Sequence, residues 1–296
     1  MTETATAHAR ISDYVELTKP RLSLLSVLTA LVGYFAARPL HAPLMKVVWL
    51  AVGTSLAAGG VAALNQMIEK DTDARMKRTA SRPIPAGRIA DGSAYVLGWG
   101  MCFAALVIIF TQVGKLSALF TLLTIASYLG WYTPAKRRSR WSTEIGAIAG
   151  AFPPLIGWSA VEGGVSSLGW ILFGILVFWQ IPHFMAIAWI YRKDYSAVNF
   201  PMLPVRDQAG GKVAGWSLVA TAVLLVLSVA PAFMGLDSAW YGAVAAAVGA
   251  WFLVCALLFV RKEARDASAR RLFHASLAYL PIVLGALVAD RLLLPR

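Results

Sequence analysis

The chain has 296 residues, of which 58% are hydrophobic and 14% charged, and it carries a net charge of +12. A soluble domain of this size carries about a quarter charged residues, so an ordinary soluble globular protein is excluded. A nucleic-acid binder is excluded by where the basic residues lie rather than by how many there are.

About 18–20 apolar residues cross a bilayer as a helix. Nine stretches qualify or come near: 22–37, 47–67, 94–112, 116–131, 145–160, 168–190, 213–233, 240–260 and 272–293. Only short polar loops separate them. The reading is one all-α, polytopic membrane domain over residues 1–296 with nine transmembrane helices, 1–20 being a cytoplasmic N-terminal segment. That segment has neither a secretory apolar core nor the Arg-rich, acid-poor look of a transit peptide, which suits a bacterial plasma membrane. Cys102 and Cys255 lie inside apolar spans and read as small apolar residues.

Segments 1–21, 69–92, 133–142, 191–213 and 261–271 hold 22 of the 27 Lys and Arg residues. The opposite side has only Arg38, Lys46, Lys115, Arg291 and Arg296. Such asymmetry places the N-terminus and the basic loops in the cytoplasm and the C-terminus outside. Gly53, Ala57, Ala58, Gly59 and Gly60 in the second span predict close helix packing. Pro153, Pro154 and Pro182 predict interruptions or kinks in spans five and six. Freed backbone groups at membrane depth need protein or a cavity beside them, so a cavity is expected there.

The second span ends AALNQMIEKDTDARMKRTASRPIP. Asn65, Glu69 and Asp73 recur every four residues, on one face of a helix. Two acids and an amide on one face suit a hard cation such as Mg²⁺, which uses one or two carboxylates together with phosphate oxygens. Arg78 and Arg82 follow, and guanidinium groups match phosphate. A solvated helix end with charge pairs is the plainer alternative. Position favours chemistry, since ionisable groups that continue an apolar span are usually functional. The fourth span ends GWYTPAKRRSR, where Lys136, Arg137, Arg138 and Arg140 either anchor the topology or capture a diphosphate. The sixth ends WQIPHFMAIAWIYRKDYSAVNFPM. Asp194 is a further candidate metal ligand or a local cap. His183 is either a heme contact or a buried structural histidine.

Together these segments resemble the UbiA superfamily of intramembrane prenyltransferases, over nearly the whole chain, and within it the branch whose acceptor is heme. The first motif, N-x3-[DE]-x3-D-x2-M-x-R-T-x2-R-P, is carried by Asn65, Glu69, Asp73, Met76, Arg78, Thr79, Arg82 and Pro83. LTKPRL at 17–22, YTPAKRR, GAFPPLIGW at 150–158 and PHFMAIAWIYRKDY continue the likeness. The chain departs from the pattern at Ser142, where many relatives have Asn, at Asn199, where a Gly is usual, and at Val198, where a second acid is common.

The resemblance implies helices arranged around a central cavity, with heme B and farnesyl diphosphate as substrates and heme O as product. It implies Mg²⁺ on Asn65, Glu69, Asp73 and Asp194, and diphosphate on Arg78, Arg82, Lys136 and Arg137. Tyr132 would face an allylic cation and His183 the heme. The lipid bilayer is the medium, and a heme A synthase or terminal oxidase is an expected recipient of product. A prenyltransferase acting on a quinone precursor or chlorin is the near alternative. A transporter or a non-catalytic heme-handling protein is the alternative from another class.

Overall fold

The computed structural model describes residues 9–38 and 43–293. Among them the chain is helical with no strand. A short helix α1 (Ile11–Leu17) precedes α2 (Pro20–Ala36) and α3 (Leu44–Ile68), and the single turn α4 (Lys70–Asp73) continues α3. Next come α5 (Asp91–Ile108), α6 (Lys115–Ala126), α7 (Thr133–Arg138), α8 (Ser142–Gly150) and α9 (Pro153–Glu162). The C-terminal half holds α10 (Ser167–Ile190), the short α11 (Arg192–Ala197) and α12 (Leu203–Arg206), then α13 (Gly211–Phe233), α14 (Ala239–Val260) and α15 (Arg265–Leu293).

Eight of the expected spans are long and apolar enough to cross a membrane, and α2, at 17 residues, is shorter. Their outward faces expose large apolar side chains such as Val96, Phe103 and Val226, as lipid-facing surfaces do. Each span touches the next, and α15 returns against α2, so the helices close a ring.

Small residues set the closest approaches. A Cβ on Gly157 would fall 1.8 Å from the Ala30 carbonyl oxygen, and one on Gly33 would fall 2.0 Å from that of Pro154. Helices α2 and α9 therefore meet backbone to backbone, a contact only glycine permits. Gly60 and Gly98 do the same for α3 and α5. The opposite side of the ring is filled by large side chains of α10, α13, α14 and α15, including Trp179, Phe252, Phe259 and Tyr279.

The proline expectations divide. Span five breaks at Ala151 and Phe152, ahead of Pro153 at the start of α9. Pro182, by contrast, lies within α10, which runs through it as one helix. Two π-helical turns went unforeseen, Ile109–Val113 after α5 and Ser127–Tyr132 between α6 and α7. The N-terminal segment also contains structure: Gln66 Nε2 donates to the Leu17 carbonyl at 3.0 Å, and Arg88 pairs with Asp13 and Glu16. These contacts hold α1 beneath the 74–90 loop and fix where α2 begins.

Candidate active site

A cavity of about 290 Å³ opens between α2, α3, the Ser127–Tyr132 turn, α8, α9 and α10. Its wall is mainly apolar, with Leu22, Ala57, Val61, Ile156 and Phe184 among its residues, while Lys19, Tyr128, Tyr132 and Gln180 bring polar atoms. The volume sits at the low end for small-molecule pockets, about 300–1,000 Å³. Spans five and six both contribute, as the prolines suggested.

Asn65, Glu69 and Asp73 keep their four-residue ladder. The Glu69 N–H donates to the Asn65 carbonyl at 3.0 Å and the Asp73 N–H to the Glu69 carbonyl at 2.8 Å, although Glu69 itself leaves helical geometry. All three are buried, at 2%, 5% and 1% exposure. A solvated helix end is therefore ruled out. Buried carboxylates need counter-charge, and each has one. Lys136 Nζ lies 2.9 Å from Glu69 Oε1, and Arg82 Nη1 lies 2.5 Å from Asp73 Oδ2. The Thr79 hydroxyl donates to the Asp73 carbonyl at 2.9 Å, fixing the loop that carries Arg82.

Lys136 comes from α7, which docks along the end of α3. Its ammonium also sits 4.5 Å above the Tyr132 ring. Tyr132 packs edge-on against Tyr128 with centroids 4.9 Å apart. Gly146 makes room, since a Cβ there would lie 2.6 Å from the Tyr132 ring. Arg137 instead donates to the Ile68 carbonyl at 2.7 Å, so it caps α3. Arg78 reaches toward α11, to the Tyr195 hydroxyl at 3.4 Å and over the Tyr191 ring at 5.2 Å. On α11, Asp194 is half-buried, and its carboxylate has no hydrogen bond or ion pair among the described residues. Trp189 and Arg192 both bind Asp266 at the start of α15, which anchors α11.

Lys19 was visible in sequence only as part of LTKPRL, without a role. It occupies the left-handed region at φ +48°, a strained state for a non-glycine residue that recurs at functional sites. It lines the cavity mouth. Burial, then the charges of Arg82 and Lys136, bring its ammonium down to about 7 against the pull of Glu69 and Asp73. The mouth thus holds more positive charge than its two acids balance, and an added anion would be welcome there.

A hard divalent cation fits the donor chemistry. The buried Glu69 carboxylate has the Lys136 ammonium as its one partner among the described residues, with the hydrogen bond itself directed at Oε2 at 3.2 Å. Coordination capacity is thus left on Oε1, and Asn65 makes its side-chain bond only through Nδ2. Among the described residues, however, no three acid, His or Cys side chains already converge tightly enough to hold a metal. Phosphate oxygens would have to complete the shell.

His183 turns toward α15. Its Nδ1 lies 2.7 Å from Ser276 Oγ, and its ring stacks on Trp179 at 4.9 Å and lies 5.2 Å from Phe273. Gln180 and Phe184 line the cavity and His183 does not. The departures from the family pattern are also placed. Asn199 adopts φ +56°, as an asparagine in a glycine position can. Ser142 is fully buried with its hydroxyl unpaired. Val198 packs beside Ala188 and Phe200.

Residues 26–277 match the model of the UbiA prenyltransferase family. A protoheme IX farnesyltransferase of Opitutus terrae is 65% identical over 294 residues, spanning 99% of each chain. A solved structure of digeranylgeranylglyceryl phosphate synthase superposes with TM-score 0.82 at 16% identity, covering 96% of this chain and 99% of that one. A UbiA homologue from Archaeoglobus fulgidus bound to GPP and Mg²⁺ gives TM-score 0.64 at 13% identity over 93% and 99%.

Proposed function

The chain belongs to the UbiA prenyltransferase family, and from that premise we propose that it transfers the farnesyl group of farnesyl diphosphate to a vinyl group of protoheme IX, giving heme O. The observation that carries the reading is the meeting of buried Glu69 and Asp73 with Lys136 and Arg82, next to the Lys19 and Tyr132 that line an apolar cavity. An apolar chain fits the wall between the helices, and a diphosphate fits the charged mouth. The likeness to a protoheme IX farnesyltransferase at 65% identity supports heme as the acceptor.

Asn65, Glu69, Asp73 and Asp194 supply hard oxygen donors for Mg²⁺, which the Mg²⁺-bound homologue supports. Bound by these residues, Mg²⁺ would supply Lewis-acid charge to a diphosphate leaving group. The chain's own cations do the rest. Lys136 and Arg82 are placed to move from the carboxylates to phosphate oxygens, with Lys19 beside them and Arg78 on the side of α11. Arg137 acts by holding α7 against α3. Cleavage leaves the electron pair on diphosphate and positive charge on the allylic C1. Tyr132 presents its ring to that charge, a contact worth about 0.5–2 kcal/mol. The terminal vinyl carbon of heme bonds to C1. Water then adds to the cation formed next to the macrocycle and loses a proton, leaving a hydroxyethylfarnesyl substituent. The mainly apolar walls disfavour water near C1 until the C–C bond exists.

His183 is our candidate heme contact, approached from the α15 side. We place the protein in the bacterial plasma membrane with its N-terminus cytoplasmic and C-terminus outside. Handover to a heme A synthase or terminal oxidase follows from the poor solubility of free heme.

The deciding experiment incubates purified protein in detergent with heme B, farnesyl diphosphate and Mg²⁺, followed by mass analysis of extracted heme. A gain of farnesyl plus water, lost on chelation, is expected. Unchanged heme alongside prenylation of a smaller aromatic acceptor would overturn heme as the substrate.

A further inference from the structure

Asn65 is buried, and its Nδ2 donates to Thr133 Oγ1 at 3.2 Å. A hydroxyl has one proton to give. Thr133 gives its proton to the Tyr128 carbonyl at 2.9 Å, so its oxygen can only accept from Asn65. Only the NH₂ end of the Asn65 amide can meet that need. The amide is therefore locked with Oδ1 facing away from Thr133.

The π-helical turn makes this possible. In an α-helix a threonine hydroxyl reaches back to the carbonyl three or four residues earlier. In the wider Ser127–Tyr132 turn the Thr133 N–H bonds to the Tyr128 carbonyl, five residues back, and the hydroxyl joins it there. π-helical insertions of this kind recur at functional sites. One turn further along α7, Lys136 faces Glu69 just as Thr133 faces Asn65. The two helices are thus registered residue against residue.

We propose that Thr133 is a positioning residue for the metal site: it fixes the Asn65 amide so that Oδ1, and not NH₂, is the atom offered to a divalent cation. The inference rests on reading Asn65, Glu69 and Asp73 as the metal ligands. An amide free to flip would present a donor, which repels a cation, for part of the time. Groups that orient metal ligands are worth about 10–100-fold in metal affinity.

The test reads bound and free Mn²⁺ by electron paramagnetic resonance in purified protein saturated with a non-hydrolysable farnesyl diphosphate analogue. Thr133→Val keeps the shape and removes the hydroxyl. It should raise half-saturating Mn²⁺ about tenfold or more, while Thr133→Ser binds as wild type. Asn65→Ala should be weakened at least as much, and Thr133→Val added to it should cost nothing further. If Thr133→Val does not survive purification, Thr133→Ala gives the same reading. Wild-type Mn²⁺ binding in the hydroxyl-free variants, with Asn65→Ala weakened, would overturn the role of Thr133 and leave the metal site standing. Wild-type binding in Asn65→Ala would overturn both.

Discussion

Lys136 Nζ stands 2.9 Å from Glu69 Oε1, and both side chains are largely buried. Without substrate, then, the acids of the first motif are held by the same cations that the reaction needs for diphosphate. Breaking a buried pair leaves an uncompensated charge and costs about 3–5 kcal/mol, whereas replacing both partners is far milder. Glu69→Gln should therefore abolish turnover and also lower the thermal midpoint of the substrate-free protein in detergent. Adding Lys136→Met to it should restore much of the midpoint and none of the turnover. A midpoint that does not recover in the double variant would show that the two charges are not coupled.

Ligand binding should follow from the same arrangement. A cation arriving alone must displace Lys136 and Arg82 from their carboxylates, and a diphosphate arriving alone must draw them away. Arriving together, each relieves the cost of the other, so each should raise the other's affinity by the same factor. Calorimetry should find Mg²⁺ binding at least about fivefold tighter with a non-hydrolysable prenyl diphosphate present. Equal affinity in both states would mean that the ion pairs are not exchanged.

Lys19 gives the mouth a pH dependence. Its folded value of about 7 lies below the ordinary 10.5. The penalty for carrying its charge is fully present below about 7 and is relieved as pH rises from 7 toward 10.5, because there the unfolded chain binds the extra proton. A bound diphosphate reverses the preference by favouring the ammonium. Affinity for a diphosphate analogue should therefore fall as pH rises above about 7, with proton uptake on binding. Calorimetry in two buffers of different ionisation enthalpy measures that uptake, and Lys19→Met should eliminate it.

The α2–α9 contact predicts a steep cost for one methyl group. Gly157→Ala puts a Cβ into the Ala30 carbonyl, where neither backbone can yield without moving the cavity wall. Overpacking costs about 1–3 kcal/mol where side chains can adjust, and more is expected here. Gly100→Ala, with open space around it, serves as the control. Size-exclusion profiles and thermal midpoints in detergent should separate the two, and equal midpoints would contradict the close packing.

Much of this was legible in the sequence for physical reasons. Long apolar runs leave few alternatives to membrane helices. The adjacent Pro153 and Pro154 favoured a break in span five, which occurs just ahead of them, whereas the lone Pro182 leaves α10 continuous. Asn199 stands where relatives have Gly and keeps the left-handed turn because asparagine tolerates one. The four-residue ladder survived because hydrogen bonds at that spacing continue past the end of α3. The partners of the acids were not legible, since Lys136 is separated from Glu69 by two further spans. Nor were the π-helical turns, which have no sequence signature, and with them the role of Thr133 and the place of Tyr128 in the wall. The rotation of α10 was hidden for a related reason: a helix apolar on every side does not reveal which face meets the cavity. His183, which the sequence left open as a heme contact or a buried structural histidine, is found against α15.

That position sharpens the test of His183. The Ser276 hydroxyl donates to the Phe273 carbonyl at 2.5 Å, so it can only accept from the histidine. Nδ1 must carry the ring proton, and Nε2 keeps its lone pair, the tautomer in which a histidine can ligate iron. With heme entering from the α15 side, adding heme B to the purified protein is expected to give a Soret shift that His183→Ala removes, while binding of a prenyl diphosphate analogue stays unchanged. Ser276→Ala should weaken the shift in part by freeing the tautomer. A full Soret shift in His183→Ala would reduce His183 to packing between Trp179 and Phe273 and would assign heme contact to side chains that line the cavity, Gln180 first among them.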